Sequence, residues 1–487
     1  MKLKDKIVQS VKWLFIAQIS SQVIRTIVTI LVIRDFDARE MTYVALSQSI
    51  IGFFEMFSTL GLGSAIVRQK DVSKQELQDI FGVVLAINLF LLLLVFGGAD
   101  YFSQFYNTPE IANILKVTAI SFVFVALGFI PGAMLTKEMH FKMISSIQVV
   151  SGLGGALTSY ICAKKGLGYW SLVYGGISIS LIGTVLKIAV SRTSVWPRFT
   201  YSGFVKNIQF GGYTMGCGIA WYSFVTLDVV IAGKFWSAET LGIYALAIQV
   251  VSVPLNRTLP LLKSVALPAF SRSMIQDISL LESHTVKGLR LSLLFSVPMF
   301  WGAAATAALL VQVFLGEKWL PVILPMAFLC ISAPFKFLLE LLGSPVFVAG
   351  YLKELFTSTV FISIVMLMFY FIIVLNSTNP SHLAAVWMLI YPALALYISY
   401  RYCRLLNIRF MAIIKGISSA FTSGLIMLLV VLSLVLNLMD TLNHMLLLSV
   451  AVVTGVLVYA GALYITDRSA IIELLSMYRS SRNTAKA

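Results

Sequence analysis

The stretch IFGVVLAINLFLLLLVFGGA, from Ile80 to Ala99, contains no charged residue and a single amide side chain, Asn88. About 20 such residues, wound into a helix, reach across the ~30 Å hydrocarbon core of a bilayer. The segment is therefore predicted to span a membrane. On the same scale, further spans are expected at about 9–33, 41–63, 112–135, 145–163 and 169–190. They continue at about 207–233, 240–262, 288–315, 321–346, 355–375 and 382–401, and close with a pair at about 412–437 and 444–465. The expected fold is an all-α membrane protein of about 14 transmembrane helices. It divides into a first lobe at 1–200, a second at 201–405, and a C-terminal helix pair with a cytoplasmic tail at 406–487.

Composition agrees with a lipid-facing exterior. Of 487 residues, 59% are hydrophobic and only 12% are charged, against about 25% charged in an average soluble chain. The net charge of +15 does not indicate nucleic acid, because the basic residues form short clusters between apolar runs. Cys162, Cys217, Cys330 and Cys403 are scattered, as are His140, His284, His382 and His444. Neither a disulfide framework nor a metal site follows from that spacing. The apolar run after Met1-Lys2-Leu3-Lys4-Asp5-Lys6 continues to about Ile33. That is longer than a signal-peptide core of ~7–15 residues, so it is expected to remain as the first span.

Alternate loops carry the positive charge: Arg68, Lys70 and Lys74; Lys137 and Lys142; Arg192, Arg198 and Lys206; Lys263, Arg272 and Lys287; Arg401, Arg404 and Arg409. Basic loops stay in the cytoplasm, which predicts cytoplasmic N- and C-termini. The longest of these loops, about 263–287, is expected to be at most a short interfacial helix. Two turns look alike. Phe36-Asp37-Ala38-Arg39-Glu40-Met41-Thr42-Tyr43-Val44-Ala45-Leu46 aligns, with a one-residue gap, to Phe235-Trp236-Ser237-Ala238-Glu239-Thr240-Leu241-Gly242-Ile243-Tyr244-Ala245-Leu246. The likeness predicts two six-helix lobes related by a parallel pseudo-twofold repeat, with a substrate path between them.

A charged side chain in the middle of a span costs ~2.5–3.5 kcal/mol on insertion scales, so each one needs a reason. The first span puts Gln18, Ser21, Gln22, Arg25 and Thr29 on one helical face, and the second does the same with Gln48, Gly52, Glu55 and Thr59. Asp228 lies near the end of the seventh span, and Gln249, Asn256 and Arg257 in the eighth. Lys336 and Glu340 stand one turn apart and are expected to form a structural pair. The functional reading turns Arg25, Gln18, Gln22, Glu55, Arg257, Gln249 and Asn256 toward a cavity, with the arginines offered to an anion such as pyrophosphate. Asp228 and Glu55 are candidates for proton or sodium coupling. The bland alternative is that these charges pair with one another, Arg25 with Glu55 for example.

Several segments carry a family resemblance: Phe57-Ser58-Thr59-Leu60-Gly61-Leu62-Gly63-Ser64-Ala65-Ile66-Val67-Arg68-Gln69-Lys70-Asp71, Leu227-Asp228 with Gly233, Leu241-Gly242-Ile243-Tyr244, Leu267-Pro268-Ala269-Phe270-Ser271-Arg272 and Gly316-Glu317-Lys318-Trp319. In their order the chain resembles the oligosaccharide flippases, the polysaccharide-exporter branch of the multidrug/oligosaccharidyl-lipid/polysaccharide exporter superfamily. The resemblance implies alternating access in a bacterial cytoplasmic membrane, with no cofactor. It implies an undecaprenyl-pyrophosphate-linked oligosaccharide as substrate, membrane lipid and polysaccharide polymerase and assembly proteins as partners, and a monomer. Arg25 is the position to which the family's cationic cavity carries over. The chain departs from the family at Glu40-Met41-Thr42-Tyr43, where a Phe-Gly pair is common. The competing readings are a drug/cation antiporter of the same superfamily and a membrane polymerase or ligase of lipid-linked sugars. Against the enzymes stand short outward loops without clustered Asp, Glu or His. The absence of a GxxxxGK[ST] motif argues against ATP hydrolysis by this chain.

Overall fold

The computed structural model describes residues 20–68, 71–191, 193, 195–199, 204–276 and 281–468. They form helices joined by short turns, with no β-strand among the described residues. Among them, 12 helical segments are long and apolar enough to cross a membrane, from Lys74–Tyr106 to His444–Thr466. Each falls on a segment read from the sequence, and the chain is a multi-pass membrane protein. The stretch from Ile80 to Ala99 forms the middle of the first of them.

The chain forms two compact units, Met1–Gly242 and Ile243–Ala487. The first holds α1 (20–34), α2 (Ala38–Glu55), α3 (Leu62–Arg68), α4 (Lys74–Tyr106), α5 (Glu110–Thr118), α6 (Ser121–Lys137), α7 (Phe141–Lys164), α8 (Trp170–Ser191), α9 (Phe204–Phe235) and the start of α10 (Ala238–Gln276). The second holds the rest of α10, α11 (Leu281–Ala305), α12 (Ala307–Leu310), α13 (Ile323–Val348), α14 (Leu352–Asn376), α15 (Pro380–Leu405), α16 (Phe410–Leu438) and α17 (His444–Thr466). Helix starts follow from local chemistry. Ser73 accepts from the Glu76 N–H at the start of α4. Asn379 accepts from Ser381 N–H, with Pro380 leading α15. The backbone N–H of Asp37 donates to Glu40 at the start of α2, and the other Glu40 oxygen receives the Tyr169 N–H, tying α2 to the α7–α8 turn.

Four segments depart from the expected continuous spans and loops. The helix expected at 41–63 stops at Glu55, and positive φ angles at Leu60 (47°) and Gly61 (71°) turn the chain before α3. Asn88 explains the break. Its Nδ2 donates at 2.8 Å both to the Ser58 carbonyl, freed by the broken helix, and to Val84. The expected span at 112–135 kinks at Ala119–Ile120 into α5 and α6. The expected span at 288–315 ends at Ala305 and continues through α12 into a π-helical turn, Val311–Leu315. Gly316, at φ 95°, then reverses the chain into a 3₁₀ turn, Glu317–Val322. Lastly, the loop expected at about 263–287 is mostly helix. α10 runs on to Gln276.

The two similar turns are the links 35–37 and 236–237, before helices starting at Ala38 and Ala238. The helix starts stand 200 residues apart and the first link is one residue longer than the second. Both helix starts belong to the first unit, and they touch reciprocally. Thr42 Oγ1 donates to the Ala238 carbonyl at 2.5 Å. At Gly242, the counterpart of Thr42, the Ala38 carbonyl occupies the space a Cβ would need.

Candidate functional site

Two neighbourhoods of the first unit gather the polar residues of its apolar helices. On α1, Arg25 donates from Nη2 to Gln22 Oε1 at 2.5 Å, and Gln22 donates in turn to Thr26 Oγ1 at 3.3 Å. The i, i+3 and i, i+4 spacing places these groups on one face, as expected. The guanidinium lies against α7 where Gly152 leaves a notch. A Cβ built there would stand 2.7 Å from Arg25 Nη1, 2.9 Å from Cδ and 3.0 Å from Cζ. Gln18, expected to join this face, lies outside the described residues.

The second neighbourhood is a cavity of about 290 Å³ lined by α2, α5, α6 and α8. Its polar wall comprises Ser47, Gln48, Glu55, Thr118, Ser121 and Ser180, and its apolar wall includes Val44, Ile51, Ile114, Leu172, Val173 and Ile177. The α5–α6 kink places Thr118 and Ser121 beside this space, and the break after α2 leaves Glu55 in that helix's last turn. The Glu55 carboxylate has no hydrogen-bond or ion-pair partner among the described residues, so the Arg25–Glu55 pair is not formed. Tyr222 of α9 closes over Gly52 and donates its hydroxyl to the Ser49 carbonyl at 2.8 Å.

The remaining expected residues lie elsewhere. Asp228 is completely buried on α9, accepts from the Val229 N–H at 2.8 Å and does not line the cavity. Gln249, half-buried, and Asn256 and Arg257, both exposed, are carried by α10 in the second unit. Lys336 and Glu340 stand one turn apart on α13. Glu340 receives the Lys263 ammonium, and the Lys336 ammonium rests 3.9 Å from the Trp387 ring centroid. The sequence reading missed Lys187 on α8. It is half-buried along Gly128 and Gly132 of α6 and has no ion-pair partner among the described residues. A lysine within an apolar run was the available signal. Among the described residues no group of His, Cys, Asp or Glu could hold a metal.

The described helices have the fold of membrane transporters. The model of the family described as polysaccharide biosynthesis protein matches residues 36–324, more than half of the chain. The chain belongs to that family. Among curated relatives, it is 23% identical over 303 residues to the teichuronic acid biosynthesis protein TuaB of Bacillus subtilis, covering 61% of this chain and 62% of that one. It is 24% identical over 352 residues to the lipopolysaccharide biosynthesis protein WzxC of Escherichia coli, covering 71% and 70%. Among solved structures, the inward closed lipid II flippase MurJ superposes with a TM-score of 0.76 at 14% identity, over 94% of this chain and 99% of that one. An inward-facing multidrug MATE transporter gives 0.62 at 11% identity, over 80% and 98%.

Proposed function

We propose that this protein is a flippase that carries an undecaprenyl-pyrophosphate-linked oligosaccharide from the cytoplasmic to the periplasmic leaflet of a bacterial inner membrane. Both termini are cytoplasmic and the working unit is a monomer, acting beside polysaccharide polymerase and assembly proteins. The carrying observation is Arg25, a guanidinium on an apolar helix, held by Gln22 and set in the Gly152 notch. Charge within an apolar span marks a functional site, and a guanidinium's planar fork matches the oxygens of a pyrophosphate. The named relatives, proteins of teichuronic acid and lipopolysaccharide biosynthesis, support a surface-glycan substrate.

Gln22 and the α10 residues Gln249, Asn256 and Arg257 complete the substrate contacts in this reading, and alternating access moves the head group. Proton or sodium coupling falls to Glu55, since a carboxylate lining a polar cavity can exchange a cation, with the buried Asp228 as the second candidate. That same carboxylate favours the second reading, a drug/cation antiporter. The discriminating experiment is depletion in the host, followed by digestion with an impermeant periplasmic glycosidase. Full-length lipid-linked oligosaccharide protected from digestion, reproduced by Arg25→Ala, is the expected result. Exposed or truncated oligosaccharide would assign the lesion to a polymerase or an assembly step. Normal export together with lost drug efflux would favour the antiporter.

A further inference from the structure

We propose that the cavity in the first unit is a carbohydrate subsite that receives one neutral pyranose of the exported glycan, an inference that rests on the oligosaccharide-flippase reading. The starting point is two serines. Ser47 of α2 and Ser121 of α6 are only 2% and 8% exposed, and both line the cavity. Neither Oγ has a hydrogen-bond partner among the described residues. Buried hydroxyls are satisfied in the great majority of cases, so two orphans bordering one space call for an occupant that bonds to both.

The dimensions narrow the occupant. The cavity's 290 Å³ equals roughly ten water volumes of ~30 Å³ each, far more than a bare ion fills. Gln48 and Glu55 line it from one helix and stand about 10 Å apart along the axis at 1.5 Å per residue. No single ion can touch both. No Lys or Arg lines the space among the described residues, which disfavours phosphate as its ligand and leaves the anion with Arg25. One wall offers neutral hydroxyl and amide groups with a single carboxylate, and the other is aliphatic. A pyranose has the same division, a rim of hydroxyls and faces of C–H groups. With a sugar seated, Ser47 and Ser121 exchange hydrogen bonds with its hydroxyls and Glu55 accepts one. The negative charge of Glu55 disfavours uronic acids at this position.

Gly176 allows a clean test. It lines the cavity, and a Cβ built there meets no heavy atom within 4 Å. A side chain added at Gly176 therefore starts from open space, and Gly176→Leu adds bulk to the cavity lining. Purified full-length protein in nanodiscs is titrated with free glucose, galactose, mannose, N-acetylglucosamine and glucuronic acid, with binding read by saturation-transfer NMR. The expected result is binding of at least one neutral sugar, with no binding of glucuronic acid. Gly176→Leu, and separately Ser47→Ala with Ser121→Ala, should weaken that binding at least about tenfold. The Gly176→Leu protein should melt as wild type yet fail to export glycan. A wild-type protein that binds none of the neutral sugars overturns the proposal, the cavity then holding water only. Wild-type export by Gly176→Leu overturns it too. If Arg25→Ala still blocks translocation in that case, the subsite fails and the flippase reading stands. Unchanged translocation in Arg25→Ala and after depletion would remove the flippase reading itself.

Discussion

The two units treat their charges differently. In the second, acid meets base: Lys263 with Glu340, Arg290 with Asp467 at 2.5 Å, Arg401 with Glu354 at 2.5 Å and Arg409 with Glu282 at 2.7 Å. In the first, Lys116 meets Asp100 at 2.8 Å, but inside its apolar helices Glu55 and Lys187 have no counter-ion among the described residues. A buried ion pair adds little net stability, but it fixes which helices meet and is costly to break from one side. An unpaired charge holds no helices together, and its desolvation must be offset by water or by a ligand. The contrast teaches that the second unit ties these charges to one another, whereas Glu55 and Lys187 of the first are left to water or a ligand.

Four substitutions break or sharpen this comparison. Arg25→Ala should have the largest effect, a loss of glycan translocation of at least about thirtyfold, since truncating a charge-assisted contact costs ~2–5 kcal/mol. The leaflet-protection assay reads it, and the melting temperature should hardly move. Arg290→Ala should do the reverse. Its pair is only 18% and 19% exposed, and removing one partner should destabilise the fold by about 3 kcal/mol. Chemical unfolding in detergent checks this, with transport per folded molecule preserved. Glu55→Gln keeps the shape of the cavity and removes its charge. We expect stability equal to wild type or higher, with translocation about tenfold slower, or ~1.4 kcal/mol, and no longer driven by an imposed proton or sodium gradient. A stability loss comparable to that of Arg290→Ala would erase the distinction between the units. Gly152→Ala should be the mildest, slowing translocation a few-fold by pushing the guanidinium aside. In an Arg25→Ala background the same methyl should have no effect, and any other outcome of that double-mutant cycle would mean that Gly152 acts on packing alone.

The apolar spans were legible because each depends only on a run of consecutive residues. Ile80 to Ala99 reads as a membrane helix and is found within α4. Features set by distant residues were not legible. The stop after Glu55 depends on Asn88 reaching across to Ser58, and nothing in the intervening sequence announces that bond. Reading by helical turns could relate Glu340 to Lys336, four residues away, but could not see Lys263, which lies 77 residues away in sequence. Arg25 stood out because a guanidinium in an apolar run is expensive. Its seat did not, because a glycine on another helix carries no sign of what will lie against it. The cavity was half visible. Gln48 and Glu55 shared a predicted face, but Ser121 entered only through the kink in a span expected to be straight.

The bond between Asn88 and Ser58 also constrains how the chain is made. Until α4 emerges from the ribosome and enters the bilayer, the Ser58 carbonyl has no donor to replace the helical one it gave up. An unsatisfied backbone group in lipid costs several kcal/mol. A second and third span that leave the insertion machinery as a pair would avoid that cost. Asn88→Leu would make the third span more apolar and easier to insert alone, yet should lower the yield of correctly assembled protein. The amide that interrupts an otherwise uniform hydrocarbon run thus makes two neighbouring helices depend on each other.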